Sequence, residues 1–312
     1  MAADRTVPGL VVAAAALALA GFFLPAWIVF IVAISLAKGL VVLGLVVLWR
    51  TGLVSFGQSL YYALGAYAVG LAHLYWGLTD AFVAVLLGMV VAGFVAFVIG
   101  FLLARYRDLF FAMLSLAFAM ILYGVLVKSE TLGSTDGFVI SVPTFAGFAP
   151  GADTAQAVLL AFTAVIVLAS AYVVDRYQKS TAGHLTTAIR DNEIRVEYLG
   201  FSVRRAIHVK YVLAGVLGGA GGALVAMAVG HIDPDLAYWT TAGEFVFVAV
   251  LRGTASVAAP FFGSILFEVL RSFAAQYAAH FWHMVLGVAL LLIIMFLPDG
   301  LWSLFRRRAR AP

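Results

Sequence analysis

The chain is 312 residues long, 64% hydrophobic and only 11% charged, with a mean hydropathy of +1.08; soluble domains carry about 25% charged residues. Such a composition leaves too little polar surface to cover a soluble core, and its continuous apolar runs exclude the alternating pattern of a β-barrel. The net charge of +4 fits basic loops on one membrane face and not a nucleic-acid partner, while the lack of cysteine excludes disulfides, thiolate chemistry and cysteine metal sites.

Crossing the hydrocarbon takes about 20 apolar residues. In chain order the candidate spans are 7–24, 26–48, 57–77, 81–103, 109–127, 156–174, 206–229, 240–252, 261–279 and 282–298. Asp4-Arg5 and the Ala/Leu run to Ala20 imitate a secretory signal, but the many spans behind them favour a retained first helix. Pro25, Asp80, Pro143, Pro234, Pro260 and Pro298 punctuate the series, as proline suits loops and first helical turns. The whole chain, 1–312, reads as one all-α, polytopic membrane domain of about ten transmembrane or partly re-entrant helices.

Basic residues give the orientation. Arg5, Arg50, Arg105, Arg107, the stretch 175–210 and the tail Arg306-Arg307-Arg308-Ala309-Arg310 share one side. The other side holds Asp80, Glu130, Asp136, Asp153, Asp233 and Asp235, with Lys128 as its one cation. By the excess of Lys and Arg on cytoplasmic loops, both termini are expected in the cytoplasm.

Two stretches depart from plain spans. Trp49–Gln58 and Leu251–Ser256 each place Arg and Gly before a Ser, ahead of paired aromatics. This pattern suits either a Gly-interrupted internal repeat around a transport path or two tight turns. Gly215–Ala223 offers small residues on several helix faces, as close helix packing in a bilayer requires. Glu244 lies near the outer end of its segment, within reach of water. Glu268 and Arg271, three residues apart, suit a structural pair on one helix face.

Catalytic patterns are missing. The histidines at 73, 184, 208, 231, 280 and 283 show no metal-ligand spacing, and no GxxxxGK[ST] exists to cradle nucleotide phosphates. The informative polar feature is the stretch from Asp175 to Lys210, where seven Lys/Arg and four Asp/Glu gather. Each central charge costs about 2.5–3.5 kcal/mol in hydrocarbon, so this stretch must leave the membrane. Within it Leu185, Ala188, Ile189, Val196 and Leu199 recur near a helical period between Gly183 and Gly200, which predicts a short amphipathic helix. Lying among lipid head groups, linking two spans and docking a cytoplasmic partner are all open to it.

Gly183-x4-Ala188-Ile189-Arg190-Asp191-Asn192-Glu193, then Leu199-Gly200 and Lys210, resembles the cytoplasmic loop of LivM-type branched-chain amino acid ABC transporter permeases. The runs GLVSFGQSLYYALGAYAVGLA, RYRDLFFAMLSLAFAMIL, LGSTDGF, GGAGGALVAMAVGHIDPD and MFLPDGLWSL follow the same family in order, over residues 40 to 304. The resemblance implies a transport subunit of an importer in the bacterial inner membrane, with no enzymatic activity and no cofactor of its own. Its implied partners are a LivH-type second permease, two cytoplasmic ATPase subunits that bind the ATP, a periplasmic substrate-binding protein and membrane lipid. It further implies that residues 183–200 form a coupling helix, with Ala188, Ile189, Arg190, Asp191, Asn192, Glu193 and Gly200 docking on an ATPase.

For substrate passage the polar residues Ser55, Gln58, Tyr61 and Tyr62 of a Gly-broken segment are the candidates, with helix–helix hydrogen bonding as the competing role. Gly57-Gln58, Ala242-Gly243-Glu244 and Leu251-Arg252-Gly253 depart from the family's usual residues, which bears on substrate more than on fold. The alternative function is an ion-coupled secondary transporter or channel for a small organic solute, with Glu244 or Glu268 essential.

Overall fold

The computed structural model describes residue 9, residue 21, residues 23–151, 154–251 and 256–277, and then 281, 284, 287, 288, 291, 292 and 295. Most of the expected spans 7–24 and 282–298, together with Asp153, Arg252, Gly253, His280, His283 and the basic tail, lies outside the described residues. The other expected spans all appear as helices.

These are α1 (Ala26–Trp49), α2 (Gln58–Trp76), α3 (Ala81–Leu103), α4 (Asp108–Lys128), α5 (Ala155–Lys179), α8 (Val203–Val229), α9 (Trp239–Leu251) and α10 (Ala259–Tyr277). Between α5 and α8 lie two short helices, α6 (Thr181–Asp191) and α7 (Glu193–Tyr198). Local chemistry sets the ends. Gly77 and Gly230 stop α2 and α8 with φ of 61° and 72°, a conformation that costs glycine little. The Asp80 carboxylate caps α3 by accepting from the amides of Phe82 and Val83 at 3.0 and 3.1 Å.

Helix α8 is the centre of the bundle, with α1, α2 and α3 packed along it. A Cβ added at Gly222 would strike the Tyr62 carbonyl, and one at Gly65 the Gly219 carbonyl. One at Gly44 would sit 2.8 Å from the Ala214 carbonyl oxygen. Lipid tails are as apolar as leucine, so helix pairing in a bilayer depends on close packing of this kind. Helix α3 shows the resulting pattern. Ala81, Ala84, Gly88, Ala92, Gly93, Ala96 and Gly100 face inward, while Phe82, Leu86, Val90, Phe94, Phe97 and Phe101 face out.

Among the described residues five helices, α1, α3, α4, α5 and α8, are long and apolar enough to cross a membrane. Helix α9 is apolar but shorter.

Successive helices alternate in direction and sort the loops between two ends. One end gathers the turn 50–57, the turn 104–107 and α6–α7: Ile189 and Val196 share a core with Leu48, Leu53, Leu103 and Phe111. The opposite end holds the loop between α4 and α5, which is tied down in two ways. Its strand β1 (Phe138–Val139) pairs antiparallel with β2 (His231–Ile232), Phe138 opposite Ile232, and Asp80 accepts from the Ala146 amide at 2.7 Å.

The polar stretch 175–210 is more helical than a connecting loop. Helix α5 runs on to Lys179, whose ammonium bonds Asp175 one turn back at 2.6 Å, and α8 starts as early as Val203. Trp49–Gln58 is a turn, with Gly52 at φ 84° and the Phe56 amide donating to Ser115 Oγ at 3.1 Å. Of the second such stretch, α9 has 13 residues, and residues 252–255 lie outside the description.

Packing at the hub gives the first prediction. Gly222→Val should lower stability by about 1–3 kcal/mol or more, seen as a lower thermal midpoint in detergent. Gly124→Ala on α4, where an added Cβ meets nothing within 4 Å, should leave the midpoint unchanged or raise it by up to about 1 kcal/mol.

Candidate functional site

The polar segment is built on two caps. Ser180 Oγ accepts from the Gly183 amide at 3.3 Å and starts α6; Gly183 therefore lies inside the helix, not before it. At Asn192 the backbone turns extended (φ −163°, ψ 102°) and breaks the expected single helix. The Asn192 side chain then accepts from the Arg195 amide at 2.9 Å and starts α7. Gly200, at φ 85°, closes the segment where the sequence expects a stop.

The break at Asn192 resets the apolar stripe. Ile189 and Val196 remain buried and Leu185 is half-buried, whereas Ala188 and Leu199 turn outward. Arg190, Asp191 and Asn192 are exposed as well. Glu193 points back to the bundle, accepting from Arg107 Nε at 2.6 Å. Beneath α6 the fully buried Lys210 donates from Nζ to Thr186 Oγ1. The outward face carries Ile194, Tyr198 and Leu199, which are 67%, 88% and 70% exposed. Sequence reasoning placed docking on the charges and passed over this apolar group; the i, i+4 spacing of Ile194 and Tyr198 was its visible signal.

Ser55, Gln58, Tyr61 and Tyr62 are all buried at the start of α2. Ser55 Oγ accepts from the Gly57 amide at 3.2 Å within its own turn. Tyr61 donates to the Tyr211 hydroxyl of α8 at 2.7 Å, and the Tyr62 ring stands edge-on to Phe245 of α9 at 5.2 Å. Among the described residues both amide atoms of Gln58 lack a hydrogen-bond partner. Of the four, Tyr61 makes a hydrogen bond to another helix, Tyr62 a ring contact, and Ser55 a bond within its own turn.

A second polar site forms deep in the bundle. Lys38 of α1 donates to Glu268 Oε2 of α10 at 3.0 Å and lies 3.6 Å from Glu244 Oε2 of α9. Arg271 Nη1 reaches Glu244 Oε2 at 3.4 Å and Glu268 Oε1 at 3.6 Å. The i, i+3 pair expected on α10 therefore exists, but among the described residues it belongs to a set of two cations and two carboxylates. Glu244 does not simply reach water: its side chain is 17% exposed and shared by two cations. Lys38, a lone cation at the middle of an otherwise apolar span, was the missed signal.

Beside the four charges a cavity of about 760 Å³ opens between α1 and α10, with Glu268 and Arg271 in its wall. Ser55, Gln58, Tyr61 and Tyr62 are not part of its lining. At the same end as β1–β2, burial and the neighbouring Asp235 carboxylate raise the Asp233 carboxyl above its usual range. Among the described residues no cluster of His, Asp and Glu has the arrangement of a metal site.

Long antiparallel apolar helices, packed through small residues and turning large apolar side chains outward, define a multi-pass α-helical membrane protein. The chain belongs to the family described as the permease component of branched-chain amino acid transport systems, whose model matches residues 27–295; members of this family are transport subunits. It is 26% identical over 291 residues to the permease protein LivM of the high-affinity branched-chain amino acid transport system of Escherichia coli strain K12, covering 85% of this chain and 68% of that protein. The LivM protein of Salmonella typhimurium strain LT2 matches with the same identity and coverage. No solved structure matches.

Breaking the four-charge group should be costly. Lys38→Met leaves Glu268 without its nearest cation and should lower stability by about 3–5 kcal/mol. Lys38→Met with Glu268→Gln should lose less than Lys38→Met alone, measured by thermal unfolding in detergent. A double variant as unstable as the single would show that the two groups are not coupled.

Proposed function

We propose that this chain is a membrane subunit of an ATP-driven importer that moves branched-chain or related amino acids into the cytoplasm of a bacterium. The amino-acid class rests on family membership and on the names of the two relatives. A second, LivH-type permease completes the translocation path, two cytoplasmic ATPases bind the ATP, and a periplasmic binding protein delivers the ligand. The loops of the Arg- and Lys-rich end, α6–α7 among them, face the cytoplasm.

The observation that carries this reading is the construction of α6–α7. The segment is anchored beneath by Ile189, Val196, Lys210–Thr186 and Arg107–Glu193, yet it turns Ile194, Tyr198 and Leu199 outward. Exposed apolar side chains on a segment too charged to enter hydrocarbon suit a protein partner. A rigid segment fixed to α8 can pass a partner's movement on to the bundle, biasing it between two arrangements. Arg190, Asp191 and Asn192 form the polar rim of the contact beside the exposed Ala188, while Glu193 and Gly200 hold its shape.

In vesicles holding the chain with its co-purified subunits, leucine uptake should require ATP. Uptake that runs on an ion gradient without ATPase subunits would favour the secondary transporter instead. Gly200→Pro forces φ to about −65° where 85° is needed, and Glu193→Lys sets a second cation against Arg107. Either change should cut ATP-driven uptake by about tenfold or more while the chain still inserts. Tyr198→Asp should release the ATPase subunits during purification, with the stability of the chain itself altered by no more than about 0.5 kcal/mol; full ATPase retention would remove α7 from the contact.

A further inference from the structure

The outer surface where α3 meets α8 ends in three cations. Arg105 follows the last turn of α3, while Arg204 and Arg205 lie in the first turn of α8, and all three are exposed. Among the described residues none of the three forms an ion pair, whereas Arg107 close by is bound to Glu193.

The packing register brings them to one depth. The helices run antiparallel, with Gly93 against Val216 and Gly100 against His208. Further toward this end Ala104 shares a core with Val203 and Ile207. Arg105 and Arg204 are the chain neighbours of Ala104 and Val203, so they share that level, with Arg205 one residue along. Helix α3 has 23 residues, about 35 Å at the rise of an α-helix. The hydrocarbon is about 30 Å thick, which sets Arg105 among the head groups.

The surface beside the cations, toward the bilayer centre, is that of a span. The His208 ring lies between Phe97 and Phe101, at centroid distances of 5.2 and 4.3 Å, and Phe97, Phe101 and Val209 are exposed. Like charges at one depth repel each other and favour a shared anion. A soluble anion would answer the guanidiniums and leave the aromatic groove uncovered. A phosphate diester with acyl chains answers both, since the planar guanidinium fork matches phosphate oxygens and the chains match the groove.

We propose that the α3–α8 groove is a site for an anionic phospholipid of the leaflet at the α6–α7 end. The phosphate sits between Arg105 and Arg204, and Arg205 adds to the attraction. The acyl chains run over Phe101, Phe97 and Val209. A zwitterionic lipid brings an ammonium of its own to three unpaired cations and is held more weakly. Basic pockets between spans at this depth are where anionic head groups bind.

The test uses the chain with its co-purified subunits in detergent. Phosphatidylglycerol or phosphatidylcholine is added in turn, and retained lipid is counted by native mass spectrometry. Phosphatidylglycerol should be retained at least about tenfold more tightly. Arg105→Gln should weaken its retention about fivefold, and Arg105→Gln with Arg204→Gln about 25-fold, at about fivefold per cation. The thermal midpoint should not change, because both side chains are exposed. Arg176→Gln removes an exposed cation at the same end of the bundle, on α5, and should leave retention unchanged.

Equal losses from Arg176→Gln and Arg105→Gln would reduce the effect to the general charge of that end and overturn the site. Equal retention of the two lipids would overturn it as well. Inorganic phosphate that displaces the lipid at equal concentration would assign the cations to a soluble anion. Subunits lost from the double variant would assign them to a protein contact. Either result contradicts the lipid site.

Discussion

Close backbone contact along α8 is the constraint on which the rest of this molecule depends. In water, large apolar side chains would drive α1, α2 and α3 onto a common core. In lipid that driving force is absent, and association needs dispersion contacts over short distances. Gly219 and Gly222 of α8 and Gly44, Gly65 and Gly88 of its neighbours bring carbonyls and α-carbons into direct contact. On α3 the inward face is consequently small and the outward face large, the reverse of a helix in a soluble bundle.

Once α8 is fixed in this way, its polar first turns become a mounting for α6–α7. Lys210 reaches under α6 to Thr186, and Val203 and Ile207 share a core with Ile189 and Val196. The segment and α8 are thus joined by a hydrogen bond as well as by a shared core. The charges of the protein are divided accordingly. Most leave the membrane at one end, whereas Lys38, Glu244, Glu268 and Arg271 stay inside because they neutralise each other.

The described spans were legible because each is a long apolar run closed by Gly, Pro, Asp or a basic residue, and hydrocarbon leaves such runs no other fold. The polar segment was legible as a helix bounded by Gly200. Its interruption was not, because Asn192 is compatible with a helix interior until its side chain takes the Arg195 amide instead. That one residue moved Leu199 from the buried stripe to the surface. The α10 pair was legible from i, i+3 spacing, while Lys38 and Glu244 needed three helices brought together, which no local pattern reports. Ser55, Gln58, Tyr61 and Tyr62 announced polarity at depth, and the helix contacts that enclose them depend on α8 and α9, far away in sequence.

The chain contains no cysteine, so single introduced thiols report their side of the membrane without background. The most direct test of α6–α7 as the cytoplasmic handle is labelling of Tyr198→Cys and Val139→Cys with a membrane-impermeant maleimide, both sites being exposed at opposite ends of the bundle. Cys at 198 should label only in inside-out vesicles and Cys at 139 only in intact spheroplasts. Labelling of position 198 from outside would place the segment beyond the reach of any cytoplasmic ATPase and contradict the account.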